Sequence, residues 1–182
     1  MKNKTQEGRI RQYFIDAAME IIRGEGLVAL NVRNVAEKAG FSYATLYNYF
    51  DDLKSLLNIC IQSFQNECLD YIQSNISVRE DDNKYLLSIL NNFTNYFVQY
   101  PGIFTLLFLE NKIMVTKSPF EKDLFSIITE KFDLKISEEK ANLIYNFTVG
   151  SLLNYMNRNN VSDYKHFIIK LNSGLDKLLS VN

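Results

Sequence analysis

The chain has 182 residues, of which 47% are hydrophobic and 23% charged, and this composition predicts a globular protein rather than a disordered one. No apolar run reaches the roughly 20 residues of a membrane-spanning helix, and the polar start Met-Lys-Asn-Lys-Thr is not a secretory signal, so we expect no membrane partner and a cytoplasmic location. The net charge of −1 disfavours nucleic acid at first, yet residues 1–50 carry seven Lys or Arg against five acids (net +2), while residues 51–182 carry thirteen against sixteen (net −3). The basic excess lies at the start of the chain, where Lys2, Lys4, Arg9 and Arg11 could contact a nucleic-acid backbone; a solvated N-terminal tail is the alternative.

The first fifty residues predict three helices, the last two arranged around a glycine. Apolar residues at helical spacing predict the first helix from about Gln6 to Arg23. Asn31 and Ser42 are of the residue types that cap helix N-termini, and Gly40 suits the left-handed position just past a helix end. Two short helices joined by such a turn form a helix-turn-helix, whose second helix enters the major groove of DNA.

That second helix is expected from about Tyr43 to Phe50, with Leu46 and Phe50 on its inward face. Its outward face carries hydroxyl, amide and small side chains instead of the Lys and Glu of an ordinary solvated face, which favours DNA contact over a plain helical hairpin. Hydroxyl groups contact phosphate oxygens, whereas Asn can pair with adenine and Ala can touch a thymine methyl. The expected phosphate contacts are Ser42, Thr45 and Tyr47, and the expected base contacts are Tyr43, Ala44 and Asn48.

The string Ala39-Gly40-Phe41-Ser42-x-Ala44-Thr45-Leu46-Tyr47-x-Tyr49-Phe50 resembles the DNA-reading module of the TetR (tetracycline-repressor-like) family. The likeness extends back to Arg9-Ile10 and to Gly24-Glu25-Gly26, and forward to Leu56-Leu57. It implies a homodimeric, ligand-responsive transcription factor, usually a repressor that binds a palindromic operator in double-stranded DNA and is released by a small hydrophobic effector. The DNA contacts that it implies are Arg33, Ser42, Tyr43, Ala44, Thr45, Tyr47, Asn48 and Tyr49.

The sequence departs from this family directly after the module. Members commonly place a phosphate-contacting lysine three residues after the phenylalanine, where this chain has Leu53, preceded by Asp51 and Asp52. Lys54 follows one residue late. Either Lys54 makes the DNA contact instead, or the contact is absent and the two acids lower nonspecific affinity.

The rest of the chain predicts further helices and no strands, which gives an all-α protein of about nine helices. We expect residues 1–50 to form the helix-turn-helix domain, and a long helix to join it to an effector-binding and dimerisation domain of residues 51–182. The further helices are expected at about 52–73, 84–99, 103–114, 118–132, 137–158 and 163–179.

The last two helices carry apolar stripes that are candidates for a dimer interface. Helix pairing across a two-fold axis would supply two reading heads for two half-sites, which favours this interpretation over stripes that face the chain's own core. The expected interface residues are Val149, Leu152, Met156, Phe167, Leu171, Leu175 and Leu178.

Aromatic side chains are frequent in the middle helices and could enclose an apolar cavity for a hydrophobic effector. A close-packed helical core is the alternative at each position. The candidate pocket residues are Phe93, Phe97, Phe104, Phe108 and Tyr145. The two cysteines, Cys60 and Cys68, lie about 12 Å apart along one helix, which predicts buried thiols in preference to a redox sensor.

Nothing in the sequence predicts an enzyme. His166 is the only histidine, and neither a Cys/His metal cluster, a glycine-rich phosphate loop nor a nucleophile elbow occurs, so no catalytic residue, metal or other cofactor is expected. A second hypothesis is a helical ligand-binding or protein-interaction module without sequence-specific DNA binding. Asp51, Asp52 and the small basic excess are its motivation.

Overall fold

The computed structural model describes residues 2–110, 124–157 and 163–180. Within these ranges the chain forms nine α-helices and no strand, which confirms the all-α fold. The helices are α1 (Lys2–Gly24), α2 (Val32–Ala39), α3 (Tyr43–Leu46), α4 (Leu53–Asn75), α5 (Asp82–Gln99), α6 (Pro101–Phe104), α7 (Leu124–Lys131), α8 (Glu138–Met156) and α9 (Tyr164–Ser180). A 3₁₀ turn, Leu27–Ala29, precedes α2, and a π-helical turn, Thr105–Glu110, continues α6. None of the described helices is both long and apolar enough to cross a membrane.

Backbone packing divides the described residues into two compact units. The first takes those among Met1–Asn66 and Tyr100–Pro119, and the second takes those among Glu67–Gln99 and Phe120–Asn182. The border therefore falls inside α4, whereas the sequence placed the functional border between residues 50 and 51. The packing border lies later because the first half of α4 and residues 100–110 belong to the same unit as α1. The functional division stays a prediction.

The core of the first unit is built around Phe14 of α1, whose side chain is completely buried. Its ring contacts the rings of Phe41, Tyr49 and Phe50, with centroids 5.4, 6.0 and 6.3 Å away. Burial of large rings in these tilted and edge-on arrangements stabilises the module beyond its apolar area alone. Phe14 thereby contacts residues before and after α3.

The core of the second unit joins α5, α7, α8 and α9. Seven buried side chains form it: Leu86, Leu90, Phe125, Ile144, Leu171, Leu175 and Leu179. This corrects part of the expected dimer interface. Leu171 and Leu175 belong to this cluster, and Leu152 is likewise fully buried within the single chain, so these three side chains offer no surface to a partner. The helical stripe is real, but most of it packs on the chain's own helices.

The expected helix from residue 118 begins outside the described residues, and α7 is its described part. The expected helix 103–114 starts two residues early, at Pro101, and is described as far as Glu110. Ser137 caps α8, since its hydroxyl accepts a hydrogen bond from the Lys140 N–H at 3.3 Å.

Candidate nucleic-acid interface

The turn between α2 and α3 has the geometry that its residue types predict. The Asn31 carboxamide oxygen accepts a hydrogen bond from the Asn34 N–H at 2.9 Å, which caps α2. Gly40 ends α2 with φ of 80°, a left-handed conformation that glycine adopts without steric cost. The next N–H, that of Phe41, donates to the Ala36 carbonyl at 2.9 Å and turns the chain toward α3.

Helix α3 is shorter than the sequence predicted. Ser42 caps it by accepting from the Thr45 N–H at 3.2 Å, and the Ser42 and Thr45 hydroxyl oxygens lie 2.8 Å apart. The regular helix ends at Leu46 instead of Phe50. Beyond it the chain continues in tight turns, because the Asn48 and Tyr49 N–H groups donate three residues back. The helical distribution of faces is kept through these turns.

The inward and outward faces divide as expected. Leu46 is completely buried and Phe50 is 4% exposed, whereas Tyr43 and Tyr47 are 60% and 52% exposed. Of the remaining candidate DNA contacts, those with exposed side chains are Arg33, Ser42, Ala44 and Asn48, and those that are half-buried are Thr45, Tyr49 and Lys54. The structure therefore brings the predicted outward residues onto one continuous turn of chain.

Two of these residues also support the module itself. Tyr49 packs on Phe14, and the Thr45 hydroxyl is hydrogen-bonded to Ser42. A Thr45 hydroxyl in that bond keeps its second lone pair for a further contact. Both residues thus hold the shape of the surface that the exposed tyrosines present.

One of the two acids after the module, Asp52, has a structural role that the sequence did not reveal. The Asp52 carboxylate accepts a hydrogen bond from the Ser55 N–H at 2.6 Å, so it caps the start of α4. An acid in this position also interacts favourably with the positive end of the helix dipole. Asp52 is therefore explained by the start of α4, without reference to DNA.

Two exposed residues of α1 contact the module. Tyr13 was not among the expected contacts, whereas Arg11 belongs to the basic cluster that the sequence offered for the DNA backbone. The Tyr13 ring is 53% exposed and stacks on Phe41 with centroids 6.2 Å apart. The Arg11 guanidinium lies 5.0 Å from the centroid of the Phe50 ring. Sequence spacing places both on the solvent side of α1, but their contacts join residues far apart in the chain, which no local pattern encodes.

The five candidate pocket residues are distributed over the two units. Phe104 and Phe108 contact each other in the first unit, with centroids 5.0 Å apart. In the second unit the ring centroids of Phe93 and Phe97 lie 4.8 Å apart, and Tyr145 packs on Phe125. These contacts are those of packed cores, and the pocket role stays a prediction.

A cavity that the sequence did not predict lies in the second unit, between α8 and α9. Its volume is about 240 Å³, and its walls include His166, Lys170 and the stacked rings of Tyr155 and Phe167. Among the described residues, no group of three or more His, Cys, Asp or Glu side chains is placed to hold a metal ion.

Comparison with known proteins agrees with this geometry. Residues 14–58 match the family model of the bacterial regulatory proteins of the tetR family. In this module the chain is similar to the TetR family. The match covers all of α2 and α3, the rings around Phe14 and the start of α4. No curated protein matches the chain in sequence.

Solved structures resemble the chain over nearly its whole length. A TetR-family transcriptional regulator from Streptomyces coelicolor has a TM-score of 0.71 at 15% identity, covering 96% of this chain and 82% of that one. The fatty acid degradation regulator FadR from Bacillus halodurans has a TM-score of 0.68 at 16% identity, covering 94% and 95%. A TetR from Acinetobacter baumannii in complex with minocycline has a TM-score of 0.63 at 19% identity, covering 92% of each chain. At these identities the likeness shows a shared fold.

Proposed function

We propose that the chain is a ligand-responsive, DNA-binding transcriptional regulator, and that it acts as a repressor on a palindromic operator. The observation that carries the proposal is the capped α2–α3 turn, which presents Tyr43, Ala44, Tyr47 and Asn48 to solvent while Leu46 and Phe50 are buried. Exposed hydroxyl and amide side chains on one helical turn have the donors and acceptors that contact phosphates and base edges in the major groove of DNA.

The residues of this surface divide into two roles. Ser42, Thr45 and Tyr47 would bind phosphate oxygens through hydroxyl groups and so position the module on the duplex. Tyr43, Ala44 and Asn48 would contact base edges, of which the Asn48 carboxamide can make a paired contact with adenine. Arg33, exposed on α2, would add a charged contact to the backbone.

Dimerisation would supply the second half-site. A single module of this kind buries only about 600–1,000 Å² on DNA, whereas a two-fold dimer presents two reading turns about one helical repeat apart. The expected interface residues that keep partial exposure are Val149, Met156, Phe167 and Leu178. Apolar side chains that are more exposed accompany them on the same two helices, namely Leu143 at 53% and Ile169 at 65%.

A small hydrophobic effector would regulate DNA binding through the helical body. Among the structural neighbours, EbrR is described as a multidrug binding protein and was solved with imidazole, and the Acinetobacter baumannii protein was solved with minocycline. By linkage, an effector lowers DNA affinity only as far as it prefers the shape of the protein that does not bind DNA. An apolar compound that raises the melting temperature of the protein and also lowers its affinity for the operator would identify such an effector.

The DNA proposal is tested with duplexes selected by the full-length protein from a random-sequence library. Tyr47→Phe removes only a hydroxyl, and loss of one hydrogen bond to a charged phosphate should weaken binding to all selected duplexes by about tenfold or more. Asn48→Ala should instead relax the preference at one base pair, worth about 1–3 kcal/mol. Tyr164→Phe, the same change on α9, is the matched control and should leave DNA binding unchanged. Failure to enrich any sequence, or binding that does not weaken with salt, would contradict the proposal.

The alternative, a helical module that does not read DNA, loses part of its support. It was motivated by Asp51 and Asp52, and Asp52 is accounted for as the cap of α4. The selection experiment separates the two functions, because the alternative predicts no enriched sequence and no effect of Tyr47→Phe.

A further inference from the structure

A residue of α1, Arg11, contacts Phe50, the last residue of the helix-turn-helix module. The Arg11 guanidinium lies over the Phe50 ring, 5.0 Å from its centroid. The Phe50 side chain is only 4% exposed, and a second face of it meets the edge of Phe14. Since the ring is fixed by the core, the cation that lies over it is held at the surface of the module.

Arg11 is positioned but not neutralised. Its side chain is exposed, and within the described part of the chain no carboxylate lies within ion-pair distance of it. Asp52 follows Phe50 closely, but its carboxylate is bound to the Ser55 N–H. A cation–π contact with a ring does not use the hydrogen-bond donors of a guanidinium, which can still bind a phosphate through two parallel N–H groups.

The position at which a lysine would be expected to contact phosphate holds Leu53, the first residue of α4. Three residues span at most about 10 Å, so the site left without a cation is close to the Phe50 ring and to the charge above it. We propose that Arg11 contacts a DNA phosphate beside the end of the reading turn, in place of a lysine at position 53. This inference rests on the DNA-binding function proposed above.

Lys54, the cation that the sequence offered for this role, is less well placed. Its side chain is half-buried in the first turn of α4, whereas Arg11 is exposed. Arg11 also rests on a buried ring, that of Phe50. The two candidates differ in a measurable way, because only the residue that contacts phosphate contributes to counterion release.

The experiment measures affinity of the full-length protein for a selected duplex and for a scrambled duplex, by fluorescence anisotropy between about 50 and 200 mM KCl. Arg11→Gln should reduce the slope of log affinity against log salt by about one unit for each bound protomer, and so by about two for the proposed dimer, on both duplexes, since a phosphate contact is independent of sequence. Arg11→Lys keeps the charge and should retain most of the slope. Adding Leu53→Lys to Arg11→Gln should restore it. Lys177→Gln, an equal charge change on α9, is the control, and melting temperatures of all variants report on folding.

Each outcome decides between the possibilities. If the unaltered protein binds the selected duplex but Arg11→Gln keeps its salt slope, the role of Arg11 is refuted and the regulator function stands. The same holds if Lys54→Gln reduces the slope and Arg11→Gln does not. If the unaltered protein selects no DNA at all, the regulator function fails, and the role of Arg11 fails with it.

Discussion

The contact between α1 and α6 predicts that Gly102→Ala destabilises the protein. A Cβ atom at position 102 would lie 2.2 Å from the carbonyl oxygen of Ile22 and 3.3 Å from the Cα of Gly26. Because carbon and oxygen atoms normally approach to about 3.3 Å, the two helices would have to separate by roughly 1 Å. The obstructing atom is backbone, so no side-chain rotation can relieve the clash.

The magnitude follows from two opposing terms. Overpacking of this kind costs about 1–3 kcal/mol, and the rigid neighbour places Gly102→Ala at the upper end of that range. The greater helix propensity of alanine offsets at most about 1 kcal/mol. We therefore expect a net loss of about 2 kcal/mol, which for a chain of this size lowers the melting temperature by about 4–8 °C. Differential scanning calorimetry and urea titration would measure it.

Gly8→Ala provides the matched control, because it makes the same chemical change in α1 where a Cβ meets no atom within 4 Å. It should stabilise the protein, by up to about 1 kcal/mol. Should Gly102→Ala prove as stable as Gly8→Ala, the close approach of α6 to α1 would be wrong, and with it the assignment of residues from Tyr100 onward to the first unit.

Three further predictions concern caps, cores and thiols. Asn31→Ala removes the cap of α2 and should cost about 1 kcal/mol in urea unfolding. Leu175→Ala, at a fully buried site, should cost about 2–5 kcal/mol, whereas Ile169→Ala should leave unfolding unchanged but weaken any dimer in sedimentation experiments. Burial raises the pKa of Cys60 to about 12 and also raises the pKa of Cys68. The unfolded thiols ionise at lower pH, so stability should fall as pH rises above about 9, and native thiols should react slowly with Ellman's reagent at pH 8.

The parts of the module that the sequence predicts correctly are those encoded by residues close together in the chain. Asn31, Gly40 and Ser42 each act on groups three or four residues away, so residue type and spacing are enough to place them. The predicted length of α3 was wrong. The choice between a regular helix and tight turns after Leu46 depends on how Tyr49 and Phe50 pack on Phe14 of α1.

The apolar stripe of α9 shows the corresponding limit in the body. Periodicity identifies Leu171 and Leu175 as one face of a helix, but it does not say which surface covers that face. The structure covers it with α5, α7 and α8 of the same chain. A dimer interface on α9 would therefore use partly exposed residues at the edge of this stripe, such as Leu178, and exposed residues outside it, such as Ile169.

The position of Phe14 explains how a helix as short as α3 can hold its outward residues in place. Its ring contacts Phe41, immediately before the cap of α3, and Tyr49 and Phe50, at the far end of the reading turn. The outward residues 43–48 are thus held at both ends by one buried side chain, so a regular helix of only four residues suffices to orient them. Arg11 and Tyr13 lie on the same helix as Phe14 and rest on Phe50 and Phe41, the rings that Phe14 contacts. Phe14 therefore fixes the two rings, Phe41 and Phe50, on which the exposed side chains of Tyr13 and Arg11 rest.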